Sequence, residues 1–141
     1  MDNLKRRLVW HGVFLFLLGL LTGLVVEHFT NVRMGLAAHL EGVMNGILLI
    51  ALGGIWQEVR LSATSTKATF WLLLCGAYSN WLVTTIAAIL GTSSMTPIAA
   101  VGRSASQWKE ALVSIGFVSV ALSIIAASVM LLIGLRAKAS T

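Results

Sequence analysis

Four long apolar stretches, at about 8–26, 36–56, 69–90 and 109–135, constrain this chain more than anything else in it. Each is near or above the roughly 20 residues that a helix needs to cross about 30 Å of hydrocarbon. In lipid a spanning backbone must satisfy its own hydrogen bonds, which leaves helices or a closed barrel. The stretches therefore predict an all-α membrane protein, a four-transmembrane-helix bundle forming one domain over residues 1–141. Composition agrees: 57% of residues are hydrophobic and 11% charged, against about 45–50% and 25% in ordinary soluble domains. Lys5, Arg6 and Arg7 precede the first stretch as they would a signal peptide. Its apolar run is too long for one and no small-x-small site closes it, so the expectation is a retained span.

The net charge of +5 lies in short segments between the spans. No basic face follows a phosphate backbone, which argues against nucleic acid as a partner. Lys5, Arg6, Arg7, Arg60, Lys67, Arg136 and Lys138 fall on the side of the N-terminus, and Arg33, Arg103 and Lys109 on the other. By the positive-inside rule both termini are expected in the cytoplasm. Trp10, Trp56, Trp71 and Trp108 lie near span ends, where amphipathic rings prefer the interface. The single cysteine, Cys75, excludes an intrachain disulfide or a CxxC motif.

Small residues line two helix faces: Gly12, Gly19 and Gly23 in the first span, and Gly116, Ser123, Ala127 and Gly134 in the fourth. Such faces let backbones approach where hydrophobicity cannot drive association. In the second span His39, Gly42, Gly46 and Gly53 share a narrow stripe. A histidine beside missing side chains suits a flat macrocycle, the imidazole ligating iron and the ring lying on the helix. An interfacial histidine bonded to a loop would produce the same pattern.

Ionisable and amide groups within spans are costly, and each marks a candidate site. Glu41 and Asn45 lie one turn apart, with Asn45 about 120° round from His39. Glu41 is either an embedded carboxylate for proton coupling or a partner of Arg33 or a loop amide. Its depth of about 7 Å favours the second. In the third span Asn80 shares a small, polar face with Gly76, Ala77, Thr84, Ala87 and Ala88. Tyr78 points the other way, as a packing residue. Asn45 and Asn80 both lie about 13–15 Å deep, so they could bind one polar group in an apolar pocket or simply bond to each other. His11 and His28 are about 25 Å apart along their helix, too far to share a metal.

The run Ala38-His39-Leu40-Glu41-Gly42-Val43-Met44-Asn45-Gly46 resembles the second-helix signature of bacterial hydroxylaminobenzene mutases. Trp10-His11-Gly12, Tyr78-Ser79-Asn80-Trp81 and Ser94-Met95-Thr96-Pro97 add to the likeness, which extends over almost the whole chain. That group looks related to the membrane styrene oxide isomerases. The resemblance implies a homotrimer in the bacterial inner membrane with ferric haem b at subunit boundaries. It implies His39 as the iron ligand, Gly42 and Gly46 beside the cofactor, and Asn45, Asn80 and Thr84 in the catalytic site. Two departures bear on substrate positioning. Cys75 replaces an aspartate, and Thr84 stands where the isomerases carry a tyrosine.

The activity so implied is conversion of a small aromatic hydroxylamine to a 2-aminophenol in nitroaromatic degradation, with ferric iron as Lewis acid. Asn45 and Asn80 would orient the N–OH group or stabilise charge near it. The competing readings are a small multidrug-type exporter, a haem electron carrier and an accessory membrane subunit. An exporter needs a deep central carboxylate; an electron carrier needs two axial histidines. The topology has a direct test. Cysteines placed within 28–34 and 93–105 are expected to react with a membrane-impermeant reagent from outside, and those within 58–67 to be protected; the inverse pattern would refute it.

Overall fold

The computed structural model describes residues 2–136. Four long helices, α1 (Asp2–Leu24), α2 (Val32–Gly54), α3 (Ala63–Leu90) and α5 (Gln107–Arg136), are joined by 3-10 turns at Val26–His28 and Trp56–Glu58 and by a loop holding the short α4 (Pro97–Ala100). All four long helices have the length and hydropathy to cross a membrane. The architecture is a four-helix membrane bundle.

Each long helix packs on its neighbour in sequence, α1 on α2, α2 on α3 and α3 on α5. The helices outrun the apolar stretches, most of all at the starts of α1 and α3. Hydropathy marks the part in hydrocarbon, whereas helical hydrogen bonding continues into the interface. At 1.5 Å per residue, the 28 residues of α3 reach about 42 Å. Its first turn is polar and capped, with Ser62 Oγ accepting from the Ser65 N–H at 3.2 Å.

The tightest contact is between α1 and α2. A Cβ on Gly19 would lie 2.5 Å from the Val43 nitrogen, and one on Gly42 2.5 Å from the Gly19 Cα. Gly12 and Gly46 meet in the same way one register further in. The backbones touch, which is how helices gain dispersion contact in lipid. The small face of α5 docks less closely: Gly116 admits Val83, and Gly134 admits Val59 and Leu61.

The end of the bundle opposite the termini is organised by two polar side chains. Asn31, fully buried, caps α2 by accepting from the Met34 N–H at 3.1 Å. It also donates from Nδ2 to Ala99 O and from its backbone to Ala88 O, both at 3.0 Å. Three elements thus meet on one residue. The Glu110 carboxylate gathers the N–H groups of Ser93, Ser94 and Ala105 at 2.9–3.0 Å, folding the loop onto the start of α5.

Trp10, Trp71 and Trp108 are exposed, as interfacial rings should be. Trp56 is not one of them: it is 1% exposed, packed among Leu8, Val59, Phe70 and Leu131. The 3-10 turn after α2 folds the indole inward, which position alone did not reveal. Lys138, one of the charges counted above, lies outside the described residues.

The glycine seam has a measurable consequence. Gly19→Val or Gly42→Val is expected to lower stability by roughly 1–3 kcal/mol, the usual range for overpacking. Gly54→Ala, with nothing within 4 Å of its Cβ, is expected to be neutral. Thermal melting in detergent separates the two cases.

Candidate functional site

α2 carries functional groups on two faces. His39 emerges on the α1 side, where Gly23 leaves room for its ring; a Cβ on Gly23 would sit 2.7 Å from His39 Nδ1. Nδ1 lies 2.8 Å from the carbonyl oxygen of Gly19. A carbonyl only accepts, so Nδ1 carries the proton and the lone pair is on Nε2. Nε2 has no protein partner among the described residues. The ring lines an open groove of about 540 Å³ with Leu20, Gly23, Leu24, Val32 and Leu36. A metal-ligating histidine is commonly held this way, its second nitrogen donating to a backbone carbonyl.

His39 therefore fits a haem ligand. No group of three or more His, Cys, Asp or Glu suited to a metal occurs among the described residues. An ion bound at His39 would have to bring most of its donors with it, as a porphyrin does. His28 does not line the groove.

Gly42 and Gly46 do not serve a cofactor face. Their open sides are filled by the α1 backbone at Gly19 and at Gly12 and Phe16, leaving no space for a macrocycle. The stripe was correctly seen, but its occupant is a helix.

Glu41, Asn45 and Asn80 converge between α2 and α3. Asn45 Nδ2 donates to Glu41 O at 2.8 Å and to Glu41 Oε2 at 3.0 Å. Asn80 Nδ2 donates to the same Oε2. The two asparagines thus meet through a carboxylate and not directly. Among the described residues neither Arg33 nor a loop amide is its partner; Oε2 is shared by the two asparagines. Glu41 is the hub that sequence reasoning left unassigned, and its i, i+4 spacing to Asn45 was the available signal.

Thr84, expected in the catalytic site, is 2% exposed, and its hydroxyl donates to Asn80 O at 2.7 Å. A small hydroxyl one turn beyond Asn80 bonds its own helix where a tyrosine would reach past it. Trp81 was passed over: its indole donates to Thr22 Oγ1 at 3.0 Å, and its ring edge would meet a Cβ on Gly42. It bridges α3 to α1 across α2. Tyr78 does pack against α1, its hydroxyl 3.1 Å from His11 Nδ1.

One chain does not join its two polar features. His39 and Glu41 are two residues apart on a helix and so point nearly opposite ways; the His39 groove includes none of Glu41, Asn45 and Asn80.

A model of styrene oxide isomerases matches residues 4–136 of this sequence. The chain belongs to the styrene oxide isomerase family. Within the curated relatives of this isomerase, hydroxylaminobenzene mutase HabB of Ectopseudomonas oleovorans is 42% identical over 134 residues, covering 94% of this chain and 82% of the relative. Hydroxylaminobenzene mutase HabA of the same organism is 44% identical over 125 residues, covering 88% and 93%. No solved structure matches. The family and these relatives make the protein an enzyme of the isomerase or mutase type, which removes the exporter, electron-carrier and accessory-subunit readings.

Proposed function

We propose that this isomerase converts hydroxylaminobenzene and related aryl hydroxylamines to 2-aminophenols. The observation that carries the proposal is His39, pinned at Nδ1 by Gly19 with Nε2 free, in a chain 42% and 44% identical to two hydroxylaminobenzene mutases. Substrate and product are isomers. The N–O bond breaks, a C–O bond forms at the ortho carbon, that carbon's hydrogen leaves as a proton, and nitrogen gains one. No electrons enter or leave.

His39 would hold ferric haem b. When bound, the haem supplies a Lewis acid for the hydroxylamine oxygen, easing departure of a poor leaving group. The chain's part is to fix the imidazole tautomer, to exclude water from an electron-poor aryl nitrogen, and to place polar groups near the N–OH. Because His39 and the asparagines lie on different faces of α2, a site using both is completed by another copy, which supports a homotrimer with haem between subunits. The setting proposed is the bacterial inner membrane, both termini cytoplasmic, where an apolar substrate enters from lipid during nitroaromatic degradation.

His39→Ala is expected to remove both the Soret band and mutase activity from a membrane-inserted protein, while His11→Ala and His28→Ala keep the band. Wild-type enzyme is expected to turn over phenylhydroxylamine anaerobically without a nicotinamide, and more slowly after dithionite. A demand for oxygen, or faster turnover on reduction, would replace the Lewis-acid reading with a redox one.

A further inference from the structure

We infer that Glu41 is a positioning residue: it turns the carboxamides of Asn45 and Asn80 so that their carbonyl oxygens, and not their amino groups, are offered to the substrate. The inference rests on the mutase reading above. It concerns how that site recognises an N–OH group.

The orientation follows from what Glu41 presents. Its backbone oxygen and its carboxylate oxygen Oε2 are both acceptors. The group that Asn45 places against them at 2.8 and 3.0 Å has to be its amino group. Both N–H bonds of Asn45 are thereby used. Asn80 is oriented by the same rule, since its amide meets the same Oε2. Flipping either amide would set a carbonyl oxygen against a carboxylate.

What remains is a pair of acceptors. Neither Asn45 Oδ1 nor Asn80 Oδ1 takes a hydrogen bond among the described residues. Asn45 is 8% exposed and its Oδ1 is not among the fully buried unpaired atoms, so the oxygen can be reached by a ligand. The complementary ligand brings donors. An aryl hydroxylamine carries two, N–H and O–H, on adjacent atoms. Asn45 and Asn80 on this reading hold the hydroxylamine hydrogens and fix the N–O bond's direction; they do not donate to the departing oxygen. Glu41 is needed because a free carboxamide would present either end.

The test separates acceptor geometry from charge and from folding. Glu41→Gln keeps an acceptor: its amide oxygen replaces Oε2, and its amino group takes the position of Oε1, which has no partner among the described residues. Glu41→Met keeps the length and removes the acceptor, and Glu41→Ala is a second variant without one. With detergent-purified enzyme and phenylhydroxylamine, Glu41→Gln is expected to stay within about threefold of wild-type kcat. Glu41→Met and Glu41→Ala are expected to lose about a hundredfold in kcat, the scale on which a misplacement of about 1 Å slows a positioned reaction, with a smaller change in KM. In an Asn45→Leu/Asn80→Leu background the Glu41→Met substitution is expected to cost nothing more, because residues acting as a unit are non-additive. Thermal melts and the Soret band are read on every variant. Glu41→Gln as damaged as Glu41→Met, Glu41→Met and Glu41→Ala with wild-type kcat, or a full Glu41→Met penalty without the asparagines, each overturns the inference and leaves the mutase reading standing. A folded wild type inactive on phenylhydroxylamine overturns the mutase reading and this inference with it.

Discussion

The close approach of α1 to α2 is the contact on which the remaining geometry depends. Lipid gives helices no hydrophobic reason to associate, so the pair is held by backbone-to-backbone contact that only glycines at 12, 19, 42 and 46 permit. That contact fixes the rotation of α2. With its glycine stripe against α1, the helix must carry Glu41 and Asn45 round to α3, and it must leave His39 at the edge of the seam. Gly19 serves twice, letting α2 approach and supplying the carbonyl that takes the His39 proton.

Intramembrane polarity follows one pattern. Hydroxyls bond the preceding turn of their own helix, as in Thr22, Thr69, Thr84 and Thr85. Longer polar side chains tie helices together: Trp81 to Thr22, Tyr78 to His11, Asn80 to Glu41. These links hold α1 and α3 to α2 where side-chain packing alone would permit sliding. Among the described residues His39 Nε2 and the Oδ1 atoms of Asn45 and Asn80 take no protein partner, and neither do the buried Trp56 Nε1 and Thr92 Oγ1.

Much of this was legible in the sequence. Spans were readable because a hydrocarbon slab selects runs of about 20 apolar residues. His39, Asn45 and Asn80 were readable because polar residues are rare there and stand out. Gly42 and Gly46 were misassigned for a physical reason: an absent side chain accommodates a flat ring or another backbone equally, and periodicity identifies the face without naming its occupant. Glu41 was underrated because depth along one helix says nothing of what the neighbouring helix brings, and it is Asn80 of α3 that joins Asn45 on its carboxylate. The buried Trp56 was illegible because its direction is set by a 3-10 turn, which leaves no periodic trace.

The helices stand in the order in which they occur along the chain, each resting mainly on the one made just before it. During synthesis every new span therefore enters a bilayer that already holds its partner. The glycine seam can close as soon as α2 is inserted, and the Glu41–Asn80 link forms when α3 arrives. None of these steps waits for α5, which then sets Gly116 against Val83 of α3 and Gly134 against Val59 and Leu61, and brings Glu110 to the loop amides of Ser93, Ser94 and Ala105.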